Sequence, residues 1–263
     1  MIDFYSKQEK DSIIPRKQRI TYQGIYHIIN RGVEKRNIFV DEADYQKFME
    51  LIKKMLEDFN ITLHSYCLMT NHYHLLLETK EENISQAIQY LNGTYSMYFN
   101  RKYKRTGHFW QGRYLSYYLY DNTHAWIVAK YIERNPLVAC MVDDISAYCY
   151  QSYFQWRNRG SFHELLNGSM IFDMTIEEYE RYINQEMSED EFLEIYATPK
   201  IVTKDGEMRI LYKRLETFFE TDRDIKRKEN AVKAFEYGYS KAEIARFLGL
   251  SSKSVGKMFI ELR

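Results

Sequence analysis

Apolar and polar positions change period several times along the chain, and each change marks an element. Residues 20–30 (ITYQGIYHIIN) are β-branched and aromatic in rough alternation and close at Arg31-Gly32, which predicts a strand and a turn. Behind Asp41, a residue suited to capping, Tyr45, Phe48, Met49, Ile52, Met55, Leu56 and Phe59 recur at helical spacing, which predicts a helix ending near Phe59. Two apolar-rich runs, 61–69 and 72–79, flank Thr70-Asn71 and read as antiparallel neighbours across a short turn. Residues 85–103 predict a second helix and 109–120 another strand. Asp121 or Asn122 then caps a helix through Ala125, Val128, Ala129 and Ile132 that is expected to end near Pro136. The order βαββαβα is that of an antiparallel sheet with packed helices, an α+β fold rather than a doubly wound parallel one.

Beyond about residue 160 the pattern turns acidic and helical, with weak punctuation until Asp205-Gly206, and reads as a connector. Further on, 231–237 ends at Gly238, 241–248 ends at Gly249, and Ser251-Ser252 caps a last segment, 253–262. Three short helices with a glycine turn between the last two have the arrangement of a helix-turn-helix, carried by Ala242, Ile244, Ala245, Leu248, Leu250 and Val255. The same pattern also suits a small bundle that only packs on the rest of the chain or on a second subunit. The expected organisation is an α+β domain over 1–150, an acidic helical connector over 151–222 and a helix-turn-helix-like module over 223–263.

Composition narrows the classes. The 263 residues are 45% hydrophobic and 28% charged with only 3 Pro and 11 Gly, as in a folded protein rather than a linker or a disordered tail. Cys67, Cys140 and Cys149 form no C-x-x-C pair, so neither a disulfide framework nor a cysteine zinc site is expected, and the thiols read as reduced. Residues 1–19 carry charges throughout, and no run of about 20 apolar residues occurs, so secretion and membrane insertion are not expected and a cytoplasmic location is. Net charge is zero, from 37 Lys plus Arg and 37 Asp plus Glu, but it is segregated. Residues 83–120 hold five bases and no acid, 163–222 hold fifteen acids against six bases, and 223–263 hold ten bases against five acids. Two regions could therefore attract a polyanion, or present solvated charged faces.

Candidate chemistry centres on Asn71-His72-Tyr73-His74-Leu75-Leu76-Leu77. Residues two apart on a strand share a face, so two imidazoles can converge on one cation, although a hydrogen-bonded core pair would have the same spacing. A further ligand would come from the third helix, where Tyr131 and Asn135 stand four apart on one face. Alternatively, Tyr131 is a core aromatic and Asn135 ends a helix before Pro136.

At these residues the chain resembles the REP-associated tyrosine transposases, within the HUH single-tyrosine transposase superfamily of bacterial insertion sequences. The resemblance covers about residues 19–142 and rests on four blocks in order: YHIINRG from Tyr26, YCLMTNHYHLL from Tyr66, GHFWQGRY from Gly107 and YIERNP from Tyr131. It implies a ferredoxin-like catalytic domain that nicks single-stranded DNA through a covalent 5′-phosphotyrosine. Tyr131 would be the nucleophile, with His72, His74 and Asn135 as metal ligands. Two imidazoles and an amide oxygen suit a hard divalent ion, Mg²⁺ or Mn²⁺ rather than structural zinc, with positions left open for phosphate oxygens. The absence of G-x-x-x-x-G-K-[ST] and G-x-G-x-x-G motifs agrees with chemistry that needs no nucleotide cofactor.

For the substrate, the acid-free stretch interleaves aromatics with bases, so stacking and phosphate pairing are both on offer. The expected DNA contacts are Arg101, Lys102, Lys104, Arg105, His108, Trp110, Arg113 and Tyr114. The partners expected are single-stranded or hairpin DNA, with duplex DNA at the C-terminal module if that module binds it. The protein would be a monomer or homodimer associated with the nucleoid. Two other readings stand beside this one: an inactive DNA- or RNA-binding regulator on the same domain, and a metal-dependent hydrolase in which Tyr131 is structural.

Overall fold

The computed structural model describes residues 20–119, 121–197, 200–204, 207–211, 213–219 and 227–260. Residues 1–19, Tyr120, Asp205-Gly206 and the end of the last expected helix lie outside them. The chain divides into two compact units: one up to Tyr118 with Ala125–Ile195, the other Leu119–His124 with the chain from Tyr196 onward. The first unit thus takes in 151–195, beyond the boundary placed at 150 by sequence pattern. Among the described residues no helix is long and apolar enough to cross a membrane.

In the first unit β1 (Gly24–Arg31), α1 (Glu42–Phe59), β2 (Ile61–Met69), β3 (His72–Thr79), α2 (Ile84–Lys102), β4 (Leu115–Tyr118) and α3 (Asn122–Val138) follow one another in the expected order. The sheet runs β2-β3-β1-β4 with antiparallel pairings throughout, the ferredoxin-like order. Helix α1 starts where a capping box forms: Asp41 accepts from the Asp44 N–H at 3.1 Å and Asp44 reaches back to the Asp41 N–H. It ends at Asn60, whose left-handed φ of 51° turns the chain directly into β2.

Residues opposite one another in an antiparallel ladder share a face. Tyr26, Ile28, Tyr73, Leu75, Leu77, Tyr66 and Leu68 lie on one face, which α1 and α2 cover; the Tyr73 ring stands 5.0 Å from Phe48 and its hydroxyl donates to Asn92 on α2 at 2.8 Å. His27, His72, His74, Ser65 and Cys67 lie on the opposite face, beneath α3.

Helix α3 is held from both sides. Its Glu133 carboxylate is fully buried and accepts from the Ser65 hydroxyl on β2 at 3.1 Å, the Tyr179 hydroxyl at 3.2 Å, the Tyr153 N–H at 3.2 Å and the Ser152 hydroxyl. Those last partners belong to α4 (Ser152–Arg157) and α5 (Ile176–Asn184), within the stretch read as a connector. Lys130 likewise bonds Glu191 of α6 (Glu189–Glu194) at 3.2 Å, and Arg134 bonds the Ile183 carbonyl at 2.9 Å. The acidic segment is therefore a brace for α3 and not a spacer.

Three further departures have physical causes. The strand expected over 109–120 is confined to Leu115–Tyr118, because Phe109 and Trp110 do not alternate across the sheet. They pack toward α2, Phe109 at 4.6 Å from Phe99 and Trp110 donating its indole N–H to the Asn92 carbonyl at 3.0 Å. Pro136 lies inside α3, which runs on to Val138. A proline in the last turn forfeits one helical bond, and the Met141 N–H closes the end by donating to the Pro136 carbonyl at 2.9 Å. In the second unit an antiparallel hairpin, β5 (Lys200–Lys204) and β6 (Glu207–Leu211), stands in what was read as helical connector.

The second unit also contains α7 (Arg227–Tyr237), α8 (Lys241–Phe247) and α9 (Ser252–Ile260), with Gly249 at φ +66° in the turn between the last two. Ala231, Ala234, Ile244, Ala245 and Val255 form its core together with Leu211, Leu215 and Phe219.

Burial raises the Glu133 pKa from its usual 4.5 to about 7. The folded state then holds a proton that the unfolded chain releases, so stability is full below about pH 4.5 and falls as pH rises toward 7. Between those values the melting temperature of the wild type is expected to decline with pH more steeply than that of Glu133→Gln; parallel melting curves would show that Glu133 does not titrate in this window.

Candidate active site

The register of the sheet assembles the site. His74 lies opposite Ile29 and His72 opposite Arg31, which puts His27, Arg31, His72 and His74 on one face of two adjacent strands. Gly32 permits the sharp exit from β1, since a Cβ there would stand 2.5 Å from the Arg36 carbonyl oxygen. The Gly32 N–H donates to the Asn71 carbonyl at 3.0 Å and so ties the end of β1 to the turn before β3.

Over this face α3 presents Tyr131. Its ring is edge-on to His74 with centroids 5.6 Å apart, and edge-on to His27 at 6.0 Å. His72 and His74 are themselves edge-on at 5.1 Å. One turn along α3, Asn135 donates its amide N–H to the Tyr131 carbonyl at 2.8 Å, leaving Oδ1 as an acceptor. The structure thus brings His72, His74 and Tyr131 together, with Asn135 on the next turn.

Each imidazole of the pair spends its Nδ1 inside the protein. His72 Nδ1 donates to Asn71 Oδ1 at 2.6 Å, and His74 Nδ1 shares a 2.9 Å hydrogen bond with Nε2 of the wholly buried His27. Nε2 of both rings makes no hydrogen bond among the described residues, which is the state a metal-ligating imidazole requires. Burial, reinforced by the Arg31 guanidinium, pushes His72 down to about 3. His74 is driven well below its usual 6.5 by burial first, and then by the proximity of His72, His27 and the Arg31 guanidinium, each of which disfavours a further positive charge. Both rings are neutral near pH 7 and keep a lone pair for a cation. This donor set fits a divalent ion when Asn135 Oδ1 or substrate oxygens complete it. Among the described residues no group of three His, Cys, Asp or Glu side chains could hold one alone.

The expected DNA contacts separate into two groups. Arg101, Lys104, His108 and Arg113 are exposed and Arg105 is half-buried. Lys102 is committed internally: its ammonium bonds Asp41 at 2.6 Å and the buried Asp44 at 2.7 Å, tying the end of α2 to the start of α1. Trp110 is half-buried with its N–H engaged, and Tyr114 is buried with its hydroxyl 3.3 Å from the Ser85 hydroxyl.

Two residues escaped the sequence reading. His27 and Arg31 sit at alternating positions of the first strand, but their partner strand begins some forty residues later, so only the register reveals that they flank His74 and His72. His27→Phe keeps an aromatic ring and removes the acceptor for His74 Nδ1. Calorimetric titration with Mn²⁺ is expected to show affinity about 10- to 100-fold weaker than wild type; unchanged affinity would detach His27 from the ligand set.

A search of curated proteins finds no match. Among solved structures, that of a REP-associated tyrosine transposase bound to a REP hairpin is 16% identical, covers 56% of this chain and 87% of its own, and superposes with a TM-score of 0.48. A candidate transposase from Deinococcus radiodurans R1 is 20% identical, covers 46% of this chain and 97% of its own, and gives a TM-score of 0.33. Residues 20–135, from the approach to β1 through Asn135, match the sequence model of the family described as transposase IS200-like. Over those residues, which carry the sheet, Tyr131 and Asn135, the chain is similar to the IS200-like transposases.

Proposed function

We propose that the chain is a metal-dependent, single-tyrosine strand transferase that cuts and rejoins single-stranded, hairpin-bearing DNA through a 5′-phosphotyrosine. The observation that carries this reading is the Tyr131 ring standing edge-on to His74, 5.6 Å between centroids, over the sheet face that also bears His72.

The phenol oxygen of Tyr131 attacks the scissile phosphorus. The Tyr131 O–P bond forms and the P–O3′ bond breaks, while the phenol releases a proton and the departing 3′-oxygen takes one up. A DNA 3′-hydroxyl reverses the step, because the phosphotyrosine bond conserves the energy of the one that was cut. His72 and His74 through Nε2 and Asn135 through Oδ1 would hold Mg²⁺ or Mn²⁺, which supplies Lewis-acid polarisation of the phosphate when bound. His27 orients the His74 ring, and Arg31 places a permanent cation beside the pair, where a phosphate is the complementary charge. Arg101, Lys104, Arg105, His108 and Arg113 guide the strand, with Trp110 and Tyr114 as the apolar side of that surface.

In the second unit, α9 exposes Ser252, Lys253, Ser254 and Lys257 and serves as the contact to duplex DNA. The protein works in the cytoplasm at the nucleoid, as a monomer or homodimer.

Incubation with labelled hairpin DNA and Mn²⁺, followed by a denaturing gel, is expected to give a metal-dependent covalent band that Tyr131→Phe abolishes while DNA binding survives. Cleavage without the band would indicate a hydrolase, and binding without either a regulator. Replacing Arg105 and Arg113 by Ala is expected to flatten the dependence of log affinity on log salt by about 0.7 for each phosphate left without its cation; an unaltered slope would remove these residues from the DNA surface.

A further inference from the structure

A second recess lies at the end of the sheet where β1 leaves through Gly32. It is a cleft of about 580 Å³ between the last turns of α2 and the 107–113 segment, a size within the roughly 300–1,000 Å³ of small-ligand sites. A neighbouring cleft of about 330 Å³ shares Trp110, Gly112 and Arg113 with it. The two flank the Trp110 indole, which gives them a common aromatic wall.

The polar lining of the first cleft is unusual. Asn100 Oδ1 and Gln111 Oε1 are both buried, and neither has a hydrogen-bond partner among the described residues. Buried polar atoms are normally paired, because an unmade hydrogen bond loses the full solvation of the group. Two orphaned acceptors on side chains that line one recess are therefore a feature that a donor-bearing ligand would complete once those side chains turn toward it. The backbone positions both residues: the Asn100 amide N–H donates to the Gly107 carbonyl at 3.4 Å, and the Gln111 N–H donates to the Arg31 carbonyl at 2.9 Å. Arg31 is the register partner of His72, so the cleft adjoins the candidate active site. No carboxylate lines either cleft, and the exposed Arg113 borders both.

We infer that this cleft takes one unpaired guanine of the DNA strand, with the base against Trp110, its donor edge on Asn100 Oδ1 and Gln111 Oε1, and its phosphate toward Arg113. Guanine is chosen by the donor count. Satisfying two separate acceptors from one base edge takes two donor atoms, and of the four DNA bases only guanine has them side by side, as N1–H and the exocyclic N2 amine. An aromatic wall adds sequence-tolerant stacking, so the amide oxygens supply the discrimination. The inference rests on the single-stranded DNA reading above and adds to it the base beside the cut.

The test is equilibrium binding, by fluorescence anisotropy at low salt without metal, to a thymidine tract carrying one central deoxyguanosine. The same tract with deoxyinosine, which lacks the N2 amine, and the plain thymidine tract serve as comparisons. The full-length protein is expected to bind the deoxyguanosine tract about tenfold more tightly than the thymidine tract, with deoxyinosine losing most of the gain. Asn100→Leu and Gln111→Met should erase that preference while keeping the thymidine-tract affinity; Gln111→Met, which removes an unpaired buried acceptor, should also keep an undiminished melting temperature, whereas Asn100→Leu gives up the bond to the Gly107 carbonyl as well. Gln111→Glu, which retains an acceptor oxygen, should keep the preference. Equal binding of deoxyguanosine and thymidine tracts by wild type, or a preference that survives both substitutions, overturns the guanine pocket alone. Failure to bind any tract overturns this inference together with the strand-transfer reading.

Discussion

The carboxylate of Glu133, sealed beneath α3, decides where the phenol of Tyr131 can stand. It sits two residues along the same helix and draws hydrogen bonds from Ser65 on the sheet and from Ser152, Tyr153 and Tyr179 on the segment beyond. If the helix shifted, the Tyr153 N–H, the Tyr179 hydroxyl and the carboxylate itself would lose these partners, at a cost of about 1–3 kcal/mol for each polar group left buried and unpaired. A group this polar is a poor source of net stability, but a demanding one of position. The ion pair of Lys130 with Glu191 and the bond from Arg134 to Ile183 add to the same restraint from the outer side. The acidic stretch that looked like a spacer is what keeps the Tyr131 phenol over two imidazoles.

Beneath the helix, the period of two in a strand sorts H-x-H cleanly. The imidazoles go to the face under α3, and Tyr73 between them goes to the opposite core, where Asn92 satisfies its hydroxyl. The ring between the histidines therefore packs away from the site it separates. Dry surroundings and the Arg31 charge hold both imidazoles neutral, and Asn71 and His27 occupy their Nδ1 atoms. A site built this way presents lone pairs to a cation and a guanidinium to an anion. A phosphodiester with its metal is a ligand that answers both.

Local chemistry made much of this legible in advance. The strands at 61–69 and 72–79 and the helix behind Asp41 stand where alternation, helical spacing and the cap residue put them, because each is specified by neighbours within one or two turns. Tyr131 and Asn135 shared a helical face in the sequence as they do in the fold. What escaped depends on distant partners. Phe109 and Trp110 have strand composition, yet α2 captures them. Lys102 belongs to a basic stretch, yet Asp41 and Asp44 claim it from sixty residues upstream. His27 shows its meaning only when β1 and β3 are in register. The brace at 151–195 reads as a solvated acidic run until Lys130, Arg134 and Glu133 are seen to need it.

The central claim is that one tyrosine out of 24, Tyr131, makes the bond to DNA. Digesting the protein after reaction with hairpin DNA and Mn²⁺, trimming the DNA with nuclease and sequencing the nucleotide-bearing peptide by mass spectrometry tests it most directly. The account requires the added nucleotide on Tyr131, in the peptide that contains Tyr131-Ile132-Glu133-Arg134-Asn135 or a fragment of it. A nucleotide on any other tyrosine, or on a histidine, would contradict it.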